Sequence, residues 1–469
     1  MRKFPDLFFK PNFWIIVLIA AQIAAIIFLC LYLPAFLPVT VTVAAMWLLT
    51  AVTSVILILR CGSSEVKCAW FIIIATLPIA GALIFFIATA KPKPQGILRI
   101  SSEEDGLARA ANAYCGTTLA GYESAEYFST GMEFWNRAVQ EIDGATKSVY
   151  IEFFIIGRGQ LFNRVIAALE RAQARGAEIK IICDGVGSAF RISRKDVKRL
   201  KKLGMEVKIF HRLPPFPNSN INLRDHRKIL TVDGKVAFTG GVNLADEYIN
   251  VDSPYGFWKD TGLLVYGEAA KIFEGMFLAM WKGRHEMPAP AKGEKNCLPF
   301  YDCPDCKAFC EDAYVSAISA AKTRVHIFTP YFCVSEKTSA ALAFTARRGV
   351  DVTVIIPHIP DKKYAFEVSK AFAEELKKSG VKFFEYTPGF MHAKTVICDG
   401  KVFLGSYNFD FRSTHYNYEC GIMFDGGLCE EVERDFADSL ALSTEMQDGR
   451  LSRRKRLSLF ILRLFSPLI

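Results

Sequence analysis

The feature that most constrains this chain is a short pattern that it carries twice. His226-Arg227-Lys228 is followed by Asp233-Gly234 and then by Gly240-Gly241-Val242-Asn243. A near copy returns as His392-Ala393-Lys394, Asp399-Gly400 and Gly405-Ser406-Tyr407-Asn408. In each copy His and Lys are two residues apart. A β-branched run follows, Ile229-Leu230-Thr231-Val232 in the first copy and Thr395-Val396-Ile397 in the second. Such runs form strands, and residues two apart in a strand share a face. The Asp-Gly pair tolerates positive φ and predicts a two-residue hairpin turn. Val236 and Phe238, or Val402 and Leu404, carry a return strand that brings Asn243 or Asn408 back beside the outgoing His. Asp to Asn is ten residues in the first copy and nine in the second. A one-residue bulge would absorb the difference.

The elements leading into each hairpin also repeat. Before His226 the periodicity predicts a helix over 131–146, a strand over 149–156, a helix over 160–175, a strand over 178–183, a helix over 194–202 and a strand over 206–210. Before His392 it predicts helix 308–321, strand 324–328, helix 335–348, strand 351–356, helix 366–379 and strand 382–385. This is an internal duplication. It predicts an α/β fold of two similar domains, each a mixed or parallel sheet flanked by helices, related by an approximate twofold axis. The boundaries expected are 93–290 and 295–448, with the junction in the Pro-, Ala-, Gly- and Lys-rich stretch from Pro288 to Lys295.

The amino-terminal part, 1–92, reads differently. Phe13 to Leu33, Phe36 to Leu59 and Trp70 to Ala90 are apolar and almost free of charge, each about the 20 residues that cross a bilayer as helix. Two or three membrane helices are expected, and with them a multi-pass membrane protein. Three full spans with a cytoplasmic amino terminus would place the remaining domains outside. Pro78 and Gly81 allow the third segment to be broken or re-entrant, which would return those domains to the cytoplasm. The 449–469 tail joins Arg453, Arg454, Lys455 and Arg456 to an apolar run, a pattern suited to lying on an anionic membrane. The formal net charge of +9 fits the same partner, and the apolar segments favour lipid over nucleic acid. Thirteen cysteines show no regular disulfide spacing. Cys303-Pro304-Asp305-Cys306, with Cys297 and Cys310 nearby, lacks the second pair of a zinc ribbon and reads as incidental.

Two imidazoles, two ammonium groups and two amides can transfer a phosphodiester without a metal or other cofactor. That chemistry needs a nucleophile, an acid for the leaving group, and donors for the non-bridging oxygens. Histidine serves in either of the first roles near neutral pH. Lys228, Lys394, Asn243 and Asn408 are the candidate phosphate holders. Asp233 and Asp399 complete each pattern, although the turn alone explains them. Glu419, in Asn417-Tyr418-Glu419, and Asp260, in Trp258-Lys259-Asp260, are the candidate carboxylate partners of an imidazole.

In both halves the pattern is H-x-K-x4-D trailed by G-[GS]-x-N, and the chain resembles the phospholipase D superfamily. The resemblance implies that one motif's His attacks phosphorus to give a phosphohistidine. The other protonates the departing alcohol and then deprotonates the incoming one. His226 is assigned as nucleophile and His392 as acid/base, with Lys228, Asp233, Lys394 and Asp399 in the catalytic set and Asp260 and Glu419 orienting the imidazoles. Leu77-Pro78-Ile79-Ala80-Gly81, Tyr150-Ile151-Glu152, Thr329-Pro330-Tyr331-Phe332, Asn408-Phe409-Asp410-Phe411-Arg412-Ser413 and the closing Leu464-Phe465-Ser466-Pro467-Leu468 are similar to bacterial cardiolipin synthases. That family resemblance implies joining two phosphatidylglycerols with release of glycerol. A membrane phospholipase D or a phosphatidylserine synthase would use the same residues. A non-enzymatic membrane scaffold would have lost a His or Lys, and both sets are intact.

Overall fold

The computed structural model describes residues 39–60, 63–89, 96–101, 106–115, 117–212, 222–303 and 309–447, with the single residues Ala24, Leu459, Leu462, Arg463, Phe465 and Ser466. The chain divides into two units, one holding Met1–Pro92 and the other Lys93–Pro215 with Ile221–Leu462.

In the first unit the helix Val39–Arg60 has 22 residues. At about 1.5 Å per residue it is about 33 Å long, enough for a hydrocarbon core of about 30 Å. Its Trp47, Leu48, Val55 and Leu59 face outward. Among the described residues it is the one helix long and apolar enough to cross a membrane. The segment expected from Trp70 to Ala90 is not one span. It is two helices, Ser64–Thr76 and Pro78–Ala88, separated at Leu77. Pro78 has no N–H to continue the first helix but fits the opening turn of the second. A Cβ on Gly81 would meet the Ile73 carbonyl oxygen at 2.6 Å, so glycine lets the two helices close on each other. With 13 and 11 residues they are about 20 and 16 Å long, too short to span. Apart from Ala24, the segment from Phe13 to Leu33 lies outside the described residues, as does nearly all of the basic tail. The expectation of several spans thus reduces to one crossing helix among the described residues.

The second unit contains the same sheet twice. In spatial order the first sheet runs Ala125–Phe128, Gly262–Tyr266, Val236–Gly240, Lys228–Val232, Ser148–Phe153, Glu178–Asp184, Glu206–Phe210. The second has the equivalent run Asn296–Asp302, Asn417–Asp425, Lys401–Gly405, Thr395–Cys398, Arg324–Phe328, Asp351–Pro357, Lys382–Tyr386, with Ala120–Gly121 and Ser443–Glu445 added at its two edges and Arg224–Asp225 pairing with Asn417–Asp425. In both runs, the first four contacts are antiparallel and the last two parallel. The sheets are therefore mixed, the antiparallel part coming from hairpins and the parallel part from helical crossovers. The two halves also share a core: Phe273, Met276 and Phe277 of helix Glu268–Lys282 belong to one apolar cluster with Leu298, Phe300 and Val325.

The second hairpin turn has the expected two residues, and the first differs. Val232 pairs with Val236, so the first turn is three residues, Asp233-Gly234-Lys235. Cys398 pairs with Lys401, so the second is Asp399-Gly400. The extra residue between Asp and Asn in the first copy sits in the turn itself, and the strands need no bulge.

Candidate active site

Each histidine follows a short strand that pairs with the other half of the molecule. Arg224–Asp225 leads into His226 and pairs with the second half's strand, Asn417 opposite Arg224 and Tyr418 opposite Asp225. The His226 N–H then donates to the Tyr418 carbonyl at 3.0 Å. Gly389–Met391 leads into His392 and pairs with Phe257–Lys259 of the first half. The His392 N–H donates to the Lys259 carbonyl at 2.7 Å. This exchange sets each imidazole against the carboxylate of the opposite half. His226 Nδ1 lies 2.9 and 3.0 Å from the Glu419 oxygens, and His392 Nδ1 lies 2.6 Å from Asp260 Oδ2. Both carboxylates were legible in the sequence, but the crossing was not.

The carboxylates are fully buried and held in turn. Glu419 accepts from Ser413 Oγ at 2.7 Å, from Asn417 Nδ2 at 3.0 Å and from Ser406 Oγ. Asp260 accepts from the Thr261 N–H at 2.9 Å. Burial would raise both carboxyls, but the facing imidazole and lysines bring each below its usual range. With Nδ1–H directed at a carboxylate, Nε2 keeps the lone pair that can attack phosphorus or carry a proton.

Burial dominates the bases as well. It lowers His226 to about 4, against the pull of Glu419, and His392 to about 3, with Lys394 adding to the fall. Lys228 drops to about 8 and Lys394 to about 7, again from burial first. The copies act on each other: Lys394 lowers His226, and Lys228 lowers His392. The two motifs thus form one electrostatic site. Lys228 Nζ donates to the His226 carbonyl at 2.5 Å, and Lys394 Nζ donates to that of His392 and sits 2.8 Å from its Nδ1. Asn243 Oδ1 accepts from the Ile155 N–H at 3.0 Å, and Asn408 is hydrogen-bonded through its side chain to Asp410. Among the described residues Asn408 Oδ1 is buried without a hydrogen bond.

Asp233 and Asp399 are not in this cleft. Asp233 accepts from the N–H groups of Thr146, Lys147 and Ser148, and Asp399 from those of Lys322, Thr323 and Arg324. Each sits at positive φ, +54° and +50°, and pins its hairpin turn to the start of the neighbouring strand. The strands Lys228–Val232 and Thr395–Cys398 lie between imidazole and turn, and at about 3.3 Å per residue they set the two roughly 13 to 17 Å apart. Their place in the catalytic set is corrected: they fasten the hairpin that aims His and Lys.

The structure adds residues that the pattern did not reveal. The Phe154 ring packs edge-on to His226 at 5.1 Å, and Trp258 and Tyr248 pack on His392 at 5.0 and 5.3 Å. Phe390 lies 5.7 Å from His392. Trp258 was visible beside Asp260, but its packing on the imidazole follows from the exchanged strand. Arg227, between His226 and Lys228, points inward, with Nε 2.9 Å from Glu152 and 3.6 Å from Asp225. Its guanidinium lies by the Tyr418 and Tyr301 rings of the second half. Away from the site, Cys303 is disulfide-bonded, so it is not an incidental cysteine, and Cys297 and Cys310 are buried thiols outside that bond. Among the described residues no cluster of three or more His, Cys, Asp or Glu side chains is arranged to hold a metal.

Comparison with known proteins gives a consistent result. A family model described as cardiolipin synthase, PLD-like domain, matches residues 138–281 and again 314–440. The chain is 35% identical over 363 residues to an uncharacterised protein of Streptococcus mutans serotype c, covering 73% of this chain and 78% of that protein. It is 32% identical over 367 residues to a cardiolipin synthase of Clostridium perfringens, covering 73% and 76%. Among solved structures, phosphatidylserine synthase of Haemophilus influenzae Rd KW20 superposes with a TM-score of 0.61 at 12% identity, covering 77% of this chain and 99% of that one. That likeness shows the fold.

Proposed function

Starting from the premise that the chain belongs to the cardiolipin synthase family with phospholipase D-like domains and is a phosphatidyltransferase, we propose that it joins two phosphatidylglycerols into cardiolipin and releases glycerol. The observation that carries this reading is the crossed pair of carboxylate–histidine contacts, each histidine with a buried lysine beside it.

The reaction runs in two displacements. His226 Nε2 attacks the phosphorus of the first phosphatidylglycerol, and the bond to its headgroup glycerol oxygen breaks as His392 supplies that oxygen with a proton. The phosphatidyl group then rests on His226. A hydroxyl of the second phosphatidylglycerol gives its proton back to His392 and attacks phosphorus, and the P–N bond breaks. Lys228 and Lys394 hold the non-bridging oxygens as charge gathers. Asn243 and Asn408 flank them at the ends of the return strands. The phosphate holds a negative charge among bases that burial has stripped of protons, so it raises their proton affinity as it binds. His392 can then carry the acid proton at neutral pH. The Phe154, Trp258, Tyr248 and Phe390 rings keep the imidazoles dry, which favours a lipid hydroxyl over water in the second step. We place the enzyme at the bacterial cell membrane, anchored by Val39–Arg60, where its anionic substrates are concentrated.

The test uses detergent-purified protein and phosphatidylglycerol as sole lipid. Cardiolipin and glycerol in equal amounts are expected. Phosphatidic acid with glycerol and no cardiolipin would make the protein a phospholipase D and overturn the reading.

A further inference from the structure

The loop after strand Glu178–Asp184 carries Phe190, which is 82% exposed at φ +64°, a conformation that bulky residues avoid. A large apolar side chain this exposed can enter a membrane interface. The loop is built against the site wall: Ser188 Oγ donates to the Phe154 carbonyl at 3.1 Å and accepts from the Ile156 N–H at 3.0 Å, and the Phe154 ring packs on His226. Four residues after Phe190 begins the helix Arg194–Lys202, which carries six basic residues and one acid, Asp196, used in capping the helix. Lys195, Lys198, Lys201 and Lys202 are all exposed.

The duplicated half has its counterpart. The loop after Asp351–Pro357 carries exposed Ile359, followed by Lys362, Lys363 and exposed Tyr364. It is tied to the His392 strand, since the Ile359 N–H donates to the Gly389 carbonyl at 3.4 Å. Phe257, exposed as well, belongs to the strand paired with Gly389–Met391. The walls of both imidazoles are thus tied to equivalent loops, each with an exposed apolar side chain followed closely in sequence by lysines.

We propose that these two loops, with the helix Arg194–Lys202, form a docking surface for an anionic lipid bilayer, their apolar tips entering the interface while the lysines meet lipid phosphates. The charge sign and the apolar–basic pairing fit that partner. The inference rests on the proposed use of membrane phospholipids and adds which face of the catalytic unit meets them.

Docking can be read without chemistry. In full-length protein reconstituted into phosphatidylcholine vesicles containing phosphatidylglycerol, Phe190→Trp adds indole emission, taken as the difference from the parent. Lipids brominated near the head of the acyl chain are expected to quench it. An added emission indifferent to brominated lipid overturns the proposal. A kinetic arm uses Lys195→Gln/Lys198→Gln/Lys201→Gln/Lys202→Gln. Transfer from dilute phosphatidylglycerol in vesicles should slow at least about tenfold, by loss of four surface cations. Turnover of dihexanoyl phosphatidylglycerol, dissolved below its micelle concentration, should change less than twofold. Equal slowing on both substrates means a structural role and overturns docking. If the parent turns over neither substrate, the activity reading fails and the quenching result still decides the surface.

Discussion

Replacing Glu419 with Gln tests the crossed arrangement most directly. Glu419 is a buried carboxylate that receives His226 Nδ1 at 2.9 and 3.0 Å, Asn417 Nδ2 at 3.0 Å, and two serine hydroxyls. Serines can turn round and accept, but Asn417 Nδ2 and a protonated Nδ1 cannot. Glutamine offers one oxygen and one NH2. If the oxygen serves Asn417, the NH2 faces Nδ1, which must then accept. The imidazole proton moves to Nε2, and the lone pair that attacks phosphorus is gone. If the oxygen serves His226, a buried amide loses its partner. The first arrangement removes catalysis by the wrong tautomer, an effect of up to about 10⁴ in kcat, or about 5.5 kcal/mol. The second costs about 1–3 kcal/mol of stability. Glu419→Gln should therefore fold, lose about 10² to 10⁴ in kcat and change KM little. Cardiolipin formation at saturating phosphatidylglycerol reads the first effect, and thermal unfolding the second. A folded variant within tenfold of parental kcat would refute the claim that Glu419 sets the tautomer of His226.

Three further outcomes are expected. A phosphatidyl ester of p-nitrophenol needs no acid to leave, so His392→Ala should release nitrophenol from it at a rate near the parent's and accumulate phosphohistidine, while His226→Ala releases none; the opposite pattern would exchange the two roles. An anion favours protonated bases, and burial holds Lys394 near 7 and Lys228 near 8 in the empty site. At pH 8 a non-reactive phosphatidylglycerol analogue should therefore bind with uptake of about one proton, measured by calorimetry in buffers of different ionisation heat, and release of protons would contradict the electrostatics. Asp233→Ala or Asp399→Ala should cost about 1–2 kcal/mol in unfolding free energy through lost backbone capping, with kcat/KM within about threefold. Both carboxyls are held below their ordinary range, so the stabilisation is complete above the unfolded carboxyl pKa and fades as pH falls toward the folded one.

Much of this molecule can be read from local pattern. The hairpins, the duplicated α/β order and the ten site candidates follow from residues close together in sequence, because period-two burial and Asp-Gly turns are local effects. Val39–Arg60 was legible for the same reason, and the break at Leu77-Pro78 was signalled by Pro78 and Gly81. What escaped depends on long-range placement. The exchange of Arg224–Asp225 and Gly389–Met391 between halves leaves no local trace, since a two- or three-residue strand pairs wherever an edge is offered. The rings on His392 depend on that exchange too. Asp233 misled because a residue of a functional motif need not touch the chemistry; its three backbone hydrogen bonds explain its presence.

The two halves carry equivalent histidine–carboxylate contacts, yet the proposed transfer needs two different roles. The difference arises around them. Glu419 is fixed by Ser406, Ser413 and Asn417, and its contact with His226 Nδ1 leaves the Nε2 lone pair for attack. On the other side Lys394 Nζ stands 2.8 Å from His392 Nδ1, and its charge is the next largest force after burial in lowering that imidazole. A base with less proton affinity gives up a proton more readily once the substrate has loaded it, which suits the donor to a leaving alcohol. The more basic ring suits attack on phosphorus. This difference supports the proposed roles, His226 as nucleophile and His392 as acid. The placement of Lys394, rather than either histidine, breaks the symmetry. Lys394→Met should therefore raise the pKa of His392 and shift the pH profile of the first step upward, whereas Lys228→Met should weaken phosphate binding with a smaller shift.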